Sequence, residues 1–192
     1  MTSIGQSVVV KVPATTANLG PGFDTLGLSL SLYDELTVTV REEPGVFVEV
    51  IGVGAGSVPT DETNLVVTAI AHTFAAYNEP MPNLDLVARN SIPHGRGMGS
   101  SGAAIVSGIM AAKGLLEGIV EIDSQALRGV AAQHQKRRSG AGDNGCETVR
   151  PEQLDQCVRL GHRARAVALV QLVFGRREQQ LGALDERCNK KG

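Results

Sequence analysis

The feature that most constrains this 192-residue chain is a stretch in which glycine alternates at Gly95, Gly97 and Gly99 and runs straight into Ser100-Ser101. A segment rich in small residues, Gly102-Ala103-Ala104-Ile105-Val106-Ser107-Gly108, follows. Alternating glycines let a backbone adopt positive φ and come close to another group. Successive N–H groups in such a turn form a concavity that favours anions. A helix starting just after it adds unpaired amides and the positive end of its dipole. Ser100 and Ser101 contribute hydroxyls suited to phosphate oxygens or a hydrated Mg²⁺. The chemistry indicated is phosphate binding, beside the plainer alternative of a glycine-rich turn that caps a helix and holds nothing.

Two familiar phosphate loops are excluded by context. Gly97-Met98-Gly99-Ser100-Ser101-Gly102 satisfies GxGxxG, but the dinucleotide fingerprint begins directly at a strand end, and here Ser91 to Arg96, with Pro93, intervene. A Walker A loop requires a Lys after the glycines, and none is present.

Around this loop the pattern is that of an α+β domain. Val8–Val12 reads as a β-branched strand stopped by Pro13, followed by a loop from Ala14 to Gly22. Leu26–Leu32, Asp34–Val40, Val46–Val50 and Leu84–Ala88 read as further strands, the second and third of these by period-two alternation. Leu65, Val66, Ala69, Ile70 and Phe74 recur at helical spacing within Asn64–Tyr77. A second helix is expected from about Ser101, with Ala104, Ile105, Gly108, Ile109, Ala112, Leu115 and Leu116 on one face. Aromatics make up 3% of the chain and Trp is absent, so the core must be aliphatic.

Charge divides the chain. Residues 1–132 carry six basic and thirteen acidic side chains, a net of −7, and residues 133–192 carry twelve and seven, a net of +5. Such asymmetry indicates two domains or a tail of different origin. Overall the net charge is −2, which gives no footprint for nucleic acid or a membrane surface. No apolar run reaches the roughly 18 residues of a membrane span, and Met1–Val12 has no signal-peptide pattern. Three cysteines, Cys146, Cys157 and Cys188, make neither a disulfide framework nor a zinc signature, so a reducing cytoplasm is the expected compartment.

Two long motifs carry a family resemblance. Pro93-His94-Gly95-Arg96-Gly97-Met98-Gly99-Ser100-Ser101 is similar to the GHMP kinase phosphate motif P-x-x-x-G-L-G-S-S, with Met98 at the Leu position. Pro13-Ala14-Thr15-Thr16-Ala17-Asn18-Leu19-Gly20-Pro21-Gly22-Phe23-Asp24-Thr25-Leu26-Gly27 resembles the amino-terminal signature of the homoserine kinase branch of that superfamily. Asn64-Leu65-Val66 is similar to the segment bordering the family's adenine pocket. The resemblance covers about residues 7 to 128. It implies a GHMP kinase amino-terminal domain over residues 1–132, like domain 2 of ribosomal protein S5, with a left-handed βαβ crossover. It implies ATP-dependent phosphorylation of L-homoserine in threonine biosynthesis, with Mg²⁺, no nucleic-acid or membrane partner, and room for a homodimer. Asn18 and Asp24 would bind substrate, an Asp being a suitable partner for the α-ammonium group. ATP would lie against Asn64, Pro93, His94, Gly95, Arg96, Gly97, Met98, Gly99, Ser100, Ser101, Gly102 and Ala103, with Ser100 also near the metal. From the residues alone, Asn18 and Asp24 also suit a turn, Arg96 suits solvent as well as phosphate, and His94 has no metal-ligand partner at useful spacing. A substituent at Gly99 is expected to obstruct the approach to phosphate.

The resemblance departs from the family pattern near Ala126. The family's next motif, E-G-H-P-D-N, supplies the Mg²⁺ carboxylate. It should fall within Gln133–Asn144, where the sequence is QHQKRRSGAGDN and only Asp143-Asn144 echoes it. No catalytic residue is therefore assigned. Residues 133–192 read as an unassigned basic tail, in keeping with a frameshifted or mispredicted reading frame or with a diverged domain. Pro151–Arg187 has helical character and Ala166–Phe174 is an apolar run. The reading is a homoserine kinase module, inactive in this form. The alternatives are another GHMP kinase and a non-catalytic nucleotide-binding module.

Overall fold

The computed structural model describes residues 2–17, 27–120 and 129–130. Asn18 and Asp24, the Gln133–Asn144 stretch, the helix expected within Pro151–Arg187 and the Ala166–Phe174 run lie outside the described residues.

Six elements follow one another: β1 (Ser7–Ala17), β2 (Gly27–Val40), β3 (Val46–Gly52), α1 (Leu65–Ala76), β4 (Leu84–Asn90) and α2 (Ser100–Leu116). The strands form one sheet in the order β1-β2-β4-β3. β1 and β2 are antiparallel, as are β2 and β4, whereas β3 and β4 run parallel. A parallel neighbour needs a crossover, and α1 supplies it between β3 and β4. The α+β expectation holds.

Two strand boundaries differ from the sequence reading. β1 does not stop at Pro13 but continues to Ala17. Among the described strands β1 lies at the sheet edge, where Pro costs no inward ladder bond. The register jumps there, from Pro13 opposite Tyr33 to Thr15 opposite Ser29. The two strands expected at Leu26–Leu32 and Asp34–Val40 are one 14-residue strand, because β1 pairs with both halves across that irregularity.

One face of the sheet is buried. Leu36, Val38 and Val40 of β2, Val48 of β3, and Leu84 and Leu86 of β4 point to the helices, the period-two placement that the alternation requires. They meet Val67, Ile70 and Phe74 of α1 and Ala111, Ala112, Leu115 and Leu116 of α2. A second cluster joins Val12 and Ala14 of β1 to Ile92, Ile105, Val106 and Ile109. The two helices approach closely at Gly108, where a Cβ would stand 2.6 Å from the Val66 carbonyl oxygen and 2.8 Å from the Ala69 Cβ. The opposite face exposes Val9 and Phe47.

Candidate nucleotide-phosphate cleft

Between the sheet and the amino-terminal ends of both helices lies a cleft of about 280 Å³. Its floor is aliphatic, from Leu36, Val48, Val50, Leu86 and Ala88 of the sheet. Val58 and Pro59 close one side, ahead of Asn64, Leu65 and Val66 at the start of α1. The other side is His94 and Gly95 of the glycine-rich loop with Ser100, Ser101, Ala104 and Ser107 of α2. Asp34, Glu35 and Asn90 also line it. An apolar slot with a few convergent polar groups at one end is the usual form of a small-ligand site.

Gly95, Gly97 and Gly99 have φ of 67°, 68° and 71°, the left-handed conformation that favours glycine. Gly99 is the N-cap of α2, at φ 71° and ψ 25°, and with no side chain it makes no side-chain cap bond. The Ala103 amide donates to the Gly99 carbonyl at 2.8 Å, the first bond of the helix. The preceding helical amides, from Ser100 to Gly102, have no intrahelical acceptor and lie where the dipole is positive. These amides and the two serine hydroxyls suit phosphate oxygens.

The loop is held at both ends. At its far end the Thr15 amide donates to the Met98 carbonyl at 3.1 Å, tying the loop to β1. At its near end the Ser91 and Ile92 amides donate to Oδ1 of Asp34 at 2.7 and 2.9 Å. Burial raises the Asp34 carboxyl above its ordinary value of 3.8, while these two amides and the charge of His94 pull the other way. His94 reaches across to the β3–α1 connection. A Cβ on Gly54 would be 2.5 Å from the His94 Cε1, so the ring packs close over a residue that has no side chain.

Asn64 is buried and braces the first of these walls: its side chain accepts from the Val66 amide at 2.9 Å and donates to the Pro59 carbonyl at 2.6 Å. It therefore caps α1 and fixes the connection that closes the cleft.

Of the residues expected at ATP, the structure brings Asn64, His94, Gly95, Ser100 and Ser101 together on the cleft. Pro93, Arg96 and Gly97 belong to the same loop but are not on the cleft wall. Met98 packs on the second core cluster, and Gly102 and Ala103 are buried on α2. Gly99 packs closely against β1. A Cβ there would collide with the Thr15 Oγ1 and stand 3.0 Å from the Thr15 carbonyl oxygen. A substituent would thus press on β1 rather than reach into the cleft. Asp34, Asn90 and Ser107 were missed: they read in sequence as ordinary strand, loop and helix positions, and only the tertiary fold puts them on the cleft.

Among the described residues no group of three or more His, Cys, Asp and Glu side chains is placed to hold a metal. Ser100 lines the cleft and offers one hydroxyl, consistent with a metal bound chiefly through a ligand's phosphates. Among the described residues no helix is long and apolar enough to cross a membrane.

Comparison with known proteins fits this geometry. Residues 64–147 match the GHMP kinases N terminal domain family. Homoserine kinase of Clavibacter michiganensis subsp. michiganensis is 75% identical over 129 residues, covering 67% of this chain and 41% of that protein. Homoserine kinase of Leifsonia xyli subsp. xyli is 72% identical over 127 residues, covering 66% of this chain and 39% of that protein. The chain thus spans about two-fifths of the length of these curated relatives. The crystal structure of homoserine kinase from Cytophaga hutchinsonii superimposes with a TM-score of 0.61 at 28% identity, covering 73% of this chain and 44% of that one. Galactokinase of Lactococcus lactis, at 14% identity and a TM-score of 0.56 over 75% of this chain and 40% of that one, shares the fold. The fold is that of a GHMP kinase amino-terminal domain, and homoserine kinases are homologues of this chain over its amino-terminal part.

Proposed function

We propose that the cleft binds ATP, and that residues 1–132 form the nucleotide-binding half of a kinase that phosphorylates L-homoserine to O-phospho-L-homoserine. The observation that carries the ATP reading is the left-handed run Gly95, Gly97, Gly99 opening into the start of α2 beside an aliphatic slot. The triphosphate would lie on the amides and hydroxyls of Ser100 and Ser101, and the base in the slot beside Asn64 and Leu65. His94, Gly95 and the rest of the loop from Pro93 to Ala103 would shape the phosphate end. Phosphoryl transfer is mainly positioning and charge neutralisation, and this half supplies the positioning.

The choice of homoserine rests on the Asn18–Asp24 signature and on the 75% identity with a homoserine kinase. Asn18 and Asp24 would hold the amino acid, Asp24 through its α-ammonium. Mg²⁺ would bridge the phosphates with Ser100 at its edge. The compartment would be the cytoplasm and the pathway threonine biosynthesis. The 192-residue chain by itself would turn over no substrate, because Gln133–Asn144 lacks the expected Glu.

Two measurements test this. The first is calorimetric titration of the 192-residue chain with ATP, where saturable binding is expected and its absence would sink the cleft assignment. The second uses residues 1–126 joined to a GHMP-type carboxy-terminal half, with ATP consumption followed in homoserine, mevalonate and galactose. Homoserine should be preferred, and preference for either other substrate would overturn that assignment.

A further inference from the structure

The glycine-rich loop has a mechanical problem. The chain leaves β4 at Asn90 and enters α2 at Ser100. Three of the residues between are glycines at positive φ, with no side chains to lock them. A phosphate cradle is useful only if its amides are fixed before the ligand arrives, since ordering them on binding subtracts from affinity. The Thr15–Met98 bond and the packing of Met98 fix the far end. At the near end two consecutive amides, Ser91 and Ile92, leave the sheet pointing the same way, and both donate to one oxygen of Asp34. The Ile92 side chain is fully buried below them.

We infer that Asp34 is a positioning residue for the nucleotide site, its Oδ1 holding the Ser91 and Ile92 amides so that the glycine-rich loop is already set for phosphate. This rests on the reading of the cleft as an ATP site. Asp34 suits the task because it belongs to β2, the strand paired to both β1 and β4, so the anchor is fixed to the rigid centre of the sheet. It acts through the loop and need not touch the ligand. The two bonds require an acceptor at one position, and the charge is secondary. Asn keeps that acceptor, Ala removes it, and Glu displaces it by a methylene.

The experiment uses the 192-residue chain with Asp34→Ala, Asp34→Asn and Asp34→Glu. Thr73→Val serves as a destabilised control, since the Thr73 hydroxyl bonds the Ala69 carbonyl inside α1, away from the loop. The ATP dissociation constant is measured by calorimetry, and tryptic cleavage after Arg96 is timed by mass spectrometry without nucleotide. Asp34→Ala and Asp34→Glu should weaken ATP about tenfold and speed cleavage after Arg96 severalfold. Asp34→Asn should stay close to wild type in both. Thr73→Val should lower the melting temperature without either change. The inference is overturned if Asp34→Ala matches wild type, if Thr73→Val reproduces its effects, or if Asp34→Asn is as impaired as Asp34→Ala. Should Asp34→Ala not fold, Asp34→Glu against Asp34→Asn makes the same decision. A wild type that binds no ATP would overturn the cleft reading, while the proteolysis arm would still decide whether Asp34 holds the loop.

Discussion

Gly99→Ala should destabilise the domain more than Gly97→Ala, although both residues have nearly the same backbone conformation, with φ of 71° and 68°. The shared cost is that of a Cβ in the left-handed region, about 1–2 kcal/mol. The difference lies in the surroundings. No atom lies within 4 Å of a Cβ built at Gly97. At Gly99 the Cβ would overlap the Thr15 hydroxyl and come within 3.0 Å of the Thr15 carbonyl oxygen. Rotating the side chain relieves the first contact but not the second, which requires β1 to move next to the Met98–Thr15 bond. Forced repacking of this kind typically costs about 1–3 kcal/mol. Gly99→Ala should therefore lose about 2–5 kcal/mol and Gly97→Ala about 1–2 kcal/mol. For a domain of this size the first is a drop of roughly 8–20 °C in melting temperature. Urea unfolding followed by circular dichroism gives the comparison directly. Equal losses in the two variants would show that Thr15 yields freely, and a neutral Gly97→Ala would refute the backbone argument for the loop.

Asn64→Ala removes the α1 cap and the bond to Pro59, and should cost about 1–2 kcal/mol in urea unfolding while weakening ATP; unchanged ATP affinity would place the base elsewhere. Gly54→Ala puts a methyl against the His94 ring and at φ 86°, and should lower the melting temperature by several degrees; pairing it with His94→Ala should recover part of the loss if the ring is what resists. Because burial holds the folded Asp34 pKa above 3.8, the stability tied to its neutral form is present below 3.8 and is lost as pH rises through the raised folded value. His94 favours the charged form, and Glu35 alongside is paired with Lys11 at 2.9 Å. The stability of Asp34→Asn relative to wild type should accordingly improve with rising pH across that window, and a flat difference between melts at pH 3.5 and 7 would contradict the burial argument. Purified 192-residue chain should show no homoserine-dependent ATP consumption, and sustained turnover would mean that residues beyond 132 rebuild a metal carboxylate.

The sheet and helices were legible because their burial is periodic. Alternation through Val38 and Val40 and helical spacing through Val66, Ile70 and Phe74 report one buried face each, which is a local property. Where the reading erred, a local rule met a tertiary fact. Pro13 ends a strand only when its missing N–H is needed, and on the side of β1 that faces no other described strand it is not. Tyr33 lies between the two segments read as separate strands, and its pairing with Pro13 across the irregularity makes them one.

The site divides along the same line. A glycine run before a helix advertises itself, because positive φ and unpaired amides are consequences of the loop's own sequence. The residues that hold the loop do not. Asp34 bonds amides 57 and 58 positions away, and in sequence it is one polar member of an alternating strand. Gly54 looks like a turn residue, and its φ of 86° favours glycine by itself; what the sequence does not show is that the His94 ring stands against it. Ala104 was placed on the packed face of α2, and it both packs against the core and lines the cleft. The cleft is an extension of the gap between helix and sheet, so one apolar stripe serves the core at one end and the ligand site at the other. Periodicity identifies such a stripe but cannot mark where packing gives way to binding. That point is set by Asn64 and Pro59 on one wall and by the loop anchored at Asp34 and Thr15 on the other.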